Sequence, residues 1–185
     1  KEVARYITDG STIFLDSGTT VYHVASYLAD KKDITILTNS IRVAEVLGMN
    51  KNFQVYFIGG IIKTDILASS GVFATEFLSH FYHIDCAVIS CDGFIPDKGT
   101  TEHSIELSVL KKVIIEKTEQ IIVVADNSKI GIAGSCLCCP INKIKIAVVD
   151  SETDEDHINT MRMFGLEVVV ADTQGSSSTE TLSDE

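Results

Sequence analysis

Apolar positions come in short blocks separated by stretches of helical period. Thr12–Leu15, Ile34–Leu37, Phe53–Ile58, Ile84–Ser90, Ile121–Ala125, Ile144–Val149 and Glu167–Ala171 are runs of strand length, apolar almost throughout. Between them lie helical patterns. In 19–29, Val21, Val24, Ala25 and Leu28 recur at i, i+3, i+4 and i+7. A helix capped by Asn39 or Ser40 runs to Leu47 and closes at Gly48, and others are predicted over 72–81, 102–117 and 155–164. The longest, 102–117, carries a stripe of Ile105, Val109, Leu110, Val113 and Ile114. Residues 2–8 read as the end of a helix stopped at Asp9-Gly10. Continuously apolar strands alternating with helices predict an α/β fold: a mostly parallel sheet with helices on both faces.

Such sheets bind ligands beyond the carboxyl ends of their strands. Five strand ends carry polar and small residues: Asp16-Ser17-Gly18-Thr19-Thr20, Thr38-Asn39-Ser40, Gly59-Gly60, Ser90-Cys91-Asp92-Gly93 and Asp126-Asn127-Ser128-Lys129. In a parallel sheet they line one rim. The first opens a helix, where free amides and the hydroxyls of Ser17, Thr19 and Thr20 suit a phosphate, or simply cap the helix. Gly59-Gly60 allows close backbone approach, with Lys63 beyond it. Thr38 and Asn39 can hold a ligand hydroxyl or cap the following helix. Asp92-Gly93 and Gly99-Thr100-Thr101-Glu102 lead into the long helix. There Glu106 can accept hydrogen bonds from a polyol, whereas Glu102 reads as a first-turn acid and Lys111 and Lys112 as solvated. Lys129 places an ammonium over the rim.

Composition narrows the function classes. The chain of 185 residues is 45% hydrophobic, enough for a core, and no apolar run reaches membrane length. No signal peptide is apparent at the N-terminus. Net charge is −11, with nine acidic residues against Arg162 from 151 onward, so the first 150 residues are nearly balanced. An acidic chain without a basic cluster makes a poor nucleic-acid binder by itself. Five cysteines, three of them at Cys136, Cys138 and Cys139, form an odd and crowded set. They argue against a disulfide framework, and the second ligand pair of a structural zinc site is missing, so buried thiols on an extended segment are expected. The histidines show no metal-binding spacing. Residues 173–185 read as a disordered polar tail, and the Lys1 start suggests a processed chain or an excised fragment.

In this order, Ile13-Phe14-Leu15-Asp16-Ser17-Gly18-Thr19-Thr20, Leu37-Thr38-Asn39-Ser40, Ile58-Gly59-Gly60 with Lys63, Asp92-Gly93 with Gly99-Thr100-Thr101, Glu106, and Ala125-Asp126-Asn127-Ser128-Lys129 resemble the C-terminal effector domain of the DeoR family of bacterial sugar-metabolism repressors. The resemblance implies a fold shared with phosphopentose isomerase and coenzyme A transferase. It also implies a cytoplasmic bacterial regulator with a phosphorylated sugar effector, no cofactor, self-association, and DNA contact only through an N-terminal winged helix-turn-helix domain. Residues 1–10 would then be the connector from that domain and 11–172 the effector-binding domain. Asp16 to Thr20 would cradle the phosphate or sugar, and Thr38, Asn39, Gly59, Gly60, Lys63, Asp92, Gly93, Thr101, Glu106 and Lys129 would complete the site. Ser90-Cys91 stands where the family has Gly-Ala, and Leu110, followed by Lys111, stands where a basic residue is expected. The alternative is a sugar-phosphate isomerase on the same fold, with Glu106 and Lys129 as catalytic groups. Ile95 occupies the place of that enzyme's second acid, which favours binding over turnover.

Overall fold

The computed structural model describes residues 1–172, so the expected tail at 173–185 lies outside the described residues. In chain order the elements are β1 (Thr12–Leu15), α1 (Thr19–Ser26), β2 (Ile34–Thr38), α2 (Ile41–Gly48), β3 (Phe53–Phe57), β4 (Ile61–Lys63), β5 (Ala68–Ser70), α3 (Val72–Phe77), β6 (Ile84–Ile89), β7 (Gly93–Ile95), β8 (Gly99–Glu102), α4 (Ile105–Lys117), β9 (Thr118–Val124), β10 (Cys136–Pro140), β11 (Ile146–Asp150), α5 (Glu155–Met163) and β12 (Glu167–Ala171). Short 3-10 turns occupy Glu2–Tyr6, Leu78–His80, Asn127–Lys129 and Ile141–Lys143.

Seven strands form one sheet in the order β12-β11-β9-β6-β1-β2-β3, and every neighbouring pair is parallel. Successive strand residues point to opposite faces, so a doubly covered strand is apolar throughout. In β1, Ile13 and Leu15 enter the core under α1 and α2, while Phe14 enters the core under α3, α4 and α5. Val3 and Ile7 are buried in the first of these cores, so the expected connector at 1–10 packs on the domain.

The chain runs β1, β2, β3 outward, then returns to place β6 against the other edge of β1. The winding order therefore reverses between β1 and β6, the place where open parallel sheets bind ligands.

Two small antiparallel sheets sit on this frame, β10-β8-β7 and β4-β5. Neither belongs to the seven strands predicted from the hydrophobic pattern. The Cys136–Pro140 segment is extended as expected, and Cys138 and Cys139 are buried. The long helix starts at Ile105, capped by the Ser104 hydroxyl, which accepts from the Leu107 amide at 3.4 Å. Its buried face is Leu107, Leu110, Lys111, Ile114 and Ile115, while Ile105 and Val109 are exposed.

Candidate functional site

The site is built around Asp16, the first residue beyond β1. Its amide donates to the Val88 carbonyl of β6 at 3.0 Å, holding it at the strand junction. Its side chain is fully buried. Oδ2 accepts from the Ser90 amide at 3.0 Å and the Ser90 hydroxyl at 2.8 Å, and lies 2.7 Å from Lys111 Nζ. The same ammonium donates to Glu102 Oε1 at 2.6 Å and to the Ser90 carbonyl at 2.9 Å. One cation thus ties the ends of β1 and β6 to the end of β8.

This corrects two expectations. Lys111 is 2% exposed, not solvated, and Glu102 is a buried residue of β8 rather than a first-turn acid of the helix. Lys111 falls at the middle of the buried face of α4, so its stem packs among Leu107, Leu110 and Ile114 and carries the charge inward. A buried charge persists only when it is paired and hydrogen-bonded, as here.

Two carboxylates share one ammonium, and the excess negative charge is felt. Burial pushes the Glu102 carboxyl up to about 7; Lys111 opposes this and the Asp16 charge adds to it. Burial alone would push Lys111 down, but the two carboxylates override it and hold its ammonium above the ordinary lysine range. Burial also pushes the thiols of Cys91 and Cys138 up to about 12, so both stay protonated.

The parallel register pairs Leu15 with Thr38, which puts the next residues, Asp16 and Asn39, side by side on the rim. Asn39 is fully buried and its Nδ2 donates to the Ser69 carbonyl at 3.3 Å, which turns its Oδ1 the other way. That oxygen has no hydrogen-bond partner, and neither has Asp16 Oδ1. Buried acceptors are normally satisfied, so two orphans at one strand junction mark a place that lacks donors. Thr38 is engaged locally: its Oγ1 accepts from the Ser40 amide at 3.0 Å.

The helix start beside them is also open. Gly18 is the N-cap of α1 and offers no side chain to its first amides, whereas α2 and α4 are capped by Ser40 and Ser104. Ser17 is buried, while Gly18, Thr19 and Thr20 are exposed. Uncapped amides of an eight-residue helix attract an anion.

The remaining predicted residues divide. Lys63 on β4 and Glu106 on α4 are brought together, Nζ to Oε2 at 3.4 Å. The Glu106 backbone amide, the Ser104 hydroxyl and Lys63 hold the Glu106 carboxyl below the usual range. Gly60 has φ +147°, and a Cβ there would lie 2.4 Å from the Ser70 carbonyl oxygen, so glycine is needed to seat β4 against β5; Gly59 is exposed. Gly93 is held for packing, since a Cβ would lie 2.2 Å from the Ile132 carbonyl oxygen. The Thr101 hydroxyl donates to the Gly93 carbonyl at 3.1 Å and accepts from the Gly134 amide at 2.7 Å. Asp92 accepts from the His103 amide at 2.7 Å. Asp92, Gly93 and Thr101 thus build the wall that positions Glu102. Lys129 is half-buried on the turn after β9, two strands from β1. Sequence reasoning missed Ser90, Glu102 and Lys111 as site residues.

Comparison with known proteins shows the family and the fold. Residues 1–151 match the family described as the DeoR C terminal sensor domain. The chain belongs to this family. The HTH-type transcriptional repressor GlcR of Bacillus subtilis is 31% identical over 169 residues, covering 91% of this chain and 64% of that protein. The uncharacterized HTH-type transcriptional regulator YulB of the same organism is 31% identical over 160 residues, covering 86% of this sensor domain chain and 61% of its own length. The putative aga operon transcriptional repressor of Escherichia coli O157:H7 is 26% identical over 170 residues, covering 92% and 63%. The sensor domain chain thus spans about three fifths of the length of these relatives. Among solved structures, a D-ribose-5-phosphate isomerase in complex with phospho-erythronic acid superposes with a TM-score of 0.51 at 18% identity, over 70% of this chain and 50% of that one. The eIF2B beta of Chaetomium thermophilum gives 0.52 at 8% identity, over 79% and 45%. These likenesses establish the fold as that of the phosphopentose isomerases.

Proposed function

We propose that this chain is the effector-sensing part of a transcriptional repressor of carbohydrate genes, and that its effector is a phosphorylated sugar bound at the rim between β1, β2 and β6. The observation that carries the reading is the pair of buried acceptors without donors, Asp16 Oδ1 and Asn39 Oδ1. Sugar hydroxyls supply donors, and a buried polar group left unmatched costs about 1–3 kcal/mol, so a polyol gains by satisfying them. The phosphate would lie on the uncapped amides of α1 with the hydroxyls of Ser17, Thr19 and Thr20. Lys63 and Glu106 would close the outer side, with Gly59, Gly60, Asp92 and Lys129 around it. An effector that binds one conformation of the whole protein more tightly shifts its equilibrium between DNA-bound and released states. Self-association through this domain would set the spacing of paired DNA-reading domains.

The site suits binding rather than turnover. Glu106, the candidate base, is exposed and ion-paired to Lys63, Ile95 offers no acid, and the buried Lys111 is locked between two carboxylates. Titration calorimetry with a panel of sugar phosphates tests this, with the ligand followed by NMR for conversion. One or a few sugar phosphates should bind, unconverted, and Asn39→Ala should weaken binding about tenfold, the loss of one hydrogen bond to a buried acceptor. Conversion of the ligand would establish the isomerase instead.

A further inference from the structure

At the opposite end of the sheet, three side chains with metal-ligand chemistry meet. His83 immediately precedes β6, Asp85 is its second residue, and Glu119 is the second residue of β9. Residues two apart on an extended chain share a face. The β6–β9 register, Ile84 with Thr118 and Cys86 with Gln120, sets Glu119 beside Asp85. One ligand atom from each of the three lies within 4.8 Å of the other two. We infer that His83, Asp85 and Glu119 form a binding site for one first-row divalent cation of the zinc class.

The spacing fits such an ion. His83 Nε2 is 3.2 Å from Asp85 Oδ1 and 3.5 Å from Glu119 Oε2. Ligands about 2.0–2.1 Å from a tetrahedral zinc are separated by about 3.3–3.4 Å. Asp85 is already oriented: its other oxygen accepts from the Thr12 amide at 2.7 Å, leaving Oδ1 directed at the histidine. A backbone anchor of this kind holds a metal-binding carboxylate in place. One imidazole and two carboxylates balance two positive charges and suit zinc, cobalt or nickel better than calcium or magnesium, which prefer all-oxygen shells. Asp85 and Glu119 also line a cavity of about 440 Å³ with Tyr6, Ser11, Gln120 and Lys145, which leaves room for a water as a further ligand. The three ligands lie at the amino ends of β6 and β9, away from the rim, so the site is independent of the effector reading.

The test is calorimetric titration of zinc chloride into the folded chain in a non-chelating buffer, with cobalt(II) as a spectroscopic probe. One zinc should bind per chain. His83→Ala and Glu119→Gln should each weaken it about tenfold or more, the scale on which even outer-sphere partners act. The half-buried Cys136 is the competing ligand, so Cys136→Ser should leave affinity unchanged, and the cobalt spectrum should lack thiolate-to-metal charge transfer. Melting in a chelator verifies that each variant folds. If His83→Ala does not fold, the exposed Glu119→Gln decides alone. Absence of saturable binding, binding that survives the substitutions, or loss in Cys136→Ser would each overturn the site and leave His83 in a surface cluster of polar side chains with Asp85 and Glu119.

Discussion

At the scale of single residues, Lys111 holds the rim together. Removing one partner from a buried ion pair leaves the others charged and unmatched, which costs about 3–5 kcal/mol. Lys111→Met should therefore lower unfolding stability in urea by that order, while Lys112→Ala, on the exposed side of the same helix, should stay within about 0.5 kcal/mol of wild type. Glu102 adds a pH dependence. Its folded carboxyl, pushed up to about 7 against an ordinary 4.5, holds a proton more tightly than the unfolded chain does. Its stability contribution is thus fully present below 4.5 and is lost as pH rises through about 7. Wild type should lose stability relative to Glu102→Gln across that window in urea titrations at stepped pH; a constant difference would contradict the assignment. Burial also pushes Cys86, Cys91, Cys138 and Cys139 up to about 12, so native-state alkylation followed by mass spectrometry should label Cys136 first.

At the scale of elements, the sequence showed most where one pattern dominated. The mostly apolar β1, β2 and β6 and the residues that follow them could be read directly, because burial on both faces leaves few polar positions to confuse the period. The site's inner shell could not. The stripe drawn through Ile105 and Val109 is rotated away from the true buried face of α4, which put Lys111 on the wrong side. The clue was present: Leu107, Leu110, Lys111, Ile114 and Ile115 recur at i, i+3, i+4, i+7 and i+8, and a lysine inside such a set is buried and paired. The small strands β4, β5, β7 and β8 escaped because they are three or four residues long, and β5, β7 and β8 carry Gly, Ser or Thr. Their pairing rests on long-range contacts, not on period. Gly60 belongs at this scale: Gly60→Ala, forced against the Ser70 carbonyl in a left-handed conformation, should cost about 1–3 kcal/mol in thermal or urea unfolding, and Lys63 should lose its position beside Glu106.

At the scale of the molecule, the parallel order brings five strand ends to one rim, and the winding order reverses between β1 and β6. Among the described residues no helix is long and apolar enough to cross a membrane. The net charge is −11, and residues 1–151 match a sensor-domain family. On the surface, Val72 and Phe73 on α3 and Ile105 on α4 are 79, 76 and 66% exposed. On the proposed function, the β1–β2–β6 rim receives a phosphorylated sugar through its unmatched acceptors. The most direct measurement is an amide-resolved NMR titration of the labelled chain with sugar phosphates, free sugars and inorganic phosphate. Saturable shifts are expected at Ser17 to Thr20, Thr38 to Ser40 and Ser90 with a sugar phosphate, weaker or absent with either half alone. Shifts confined to other parts of the fold, or equal shifts with inorganic phosphate, would contradict it.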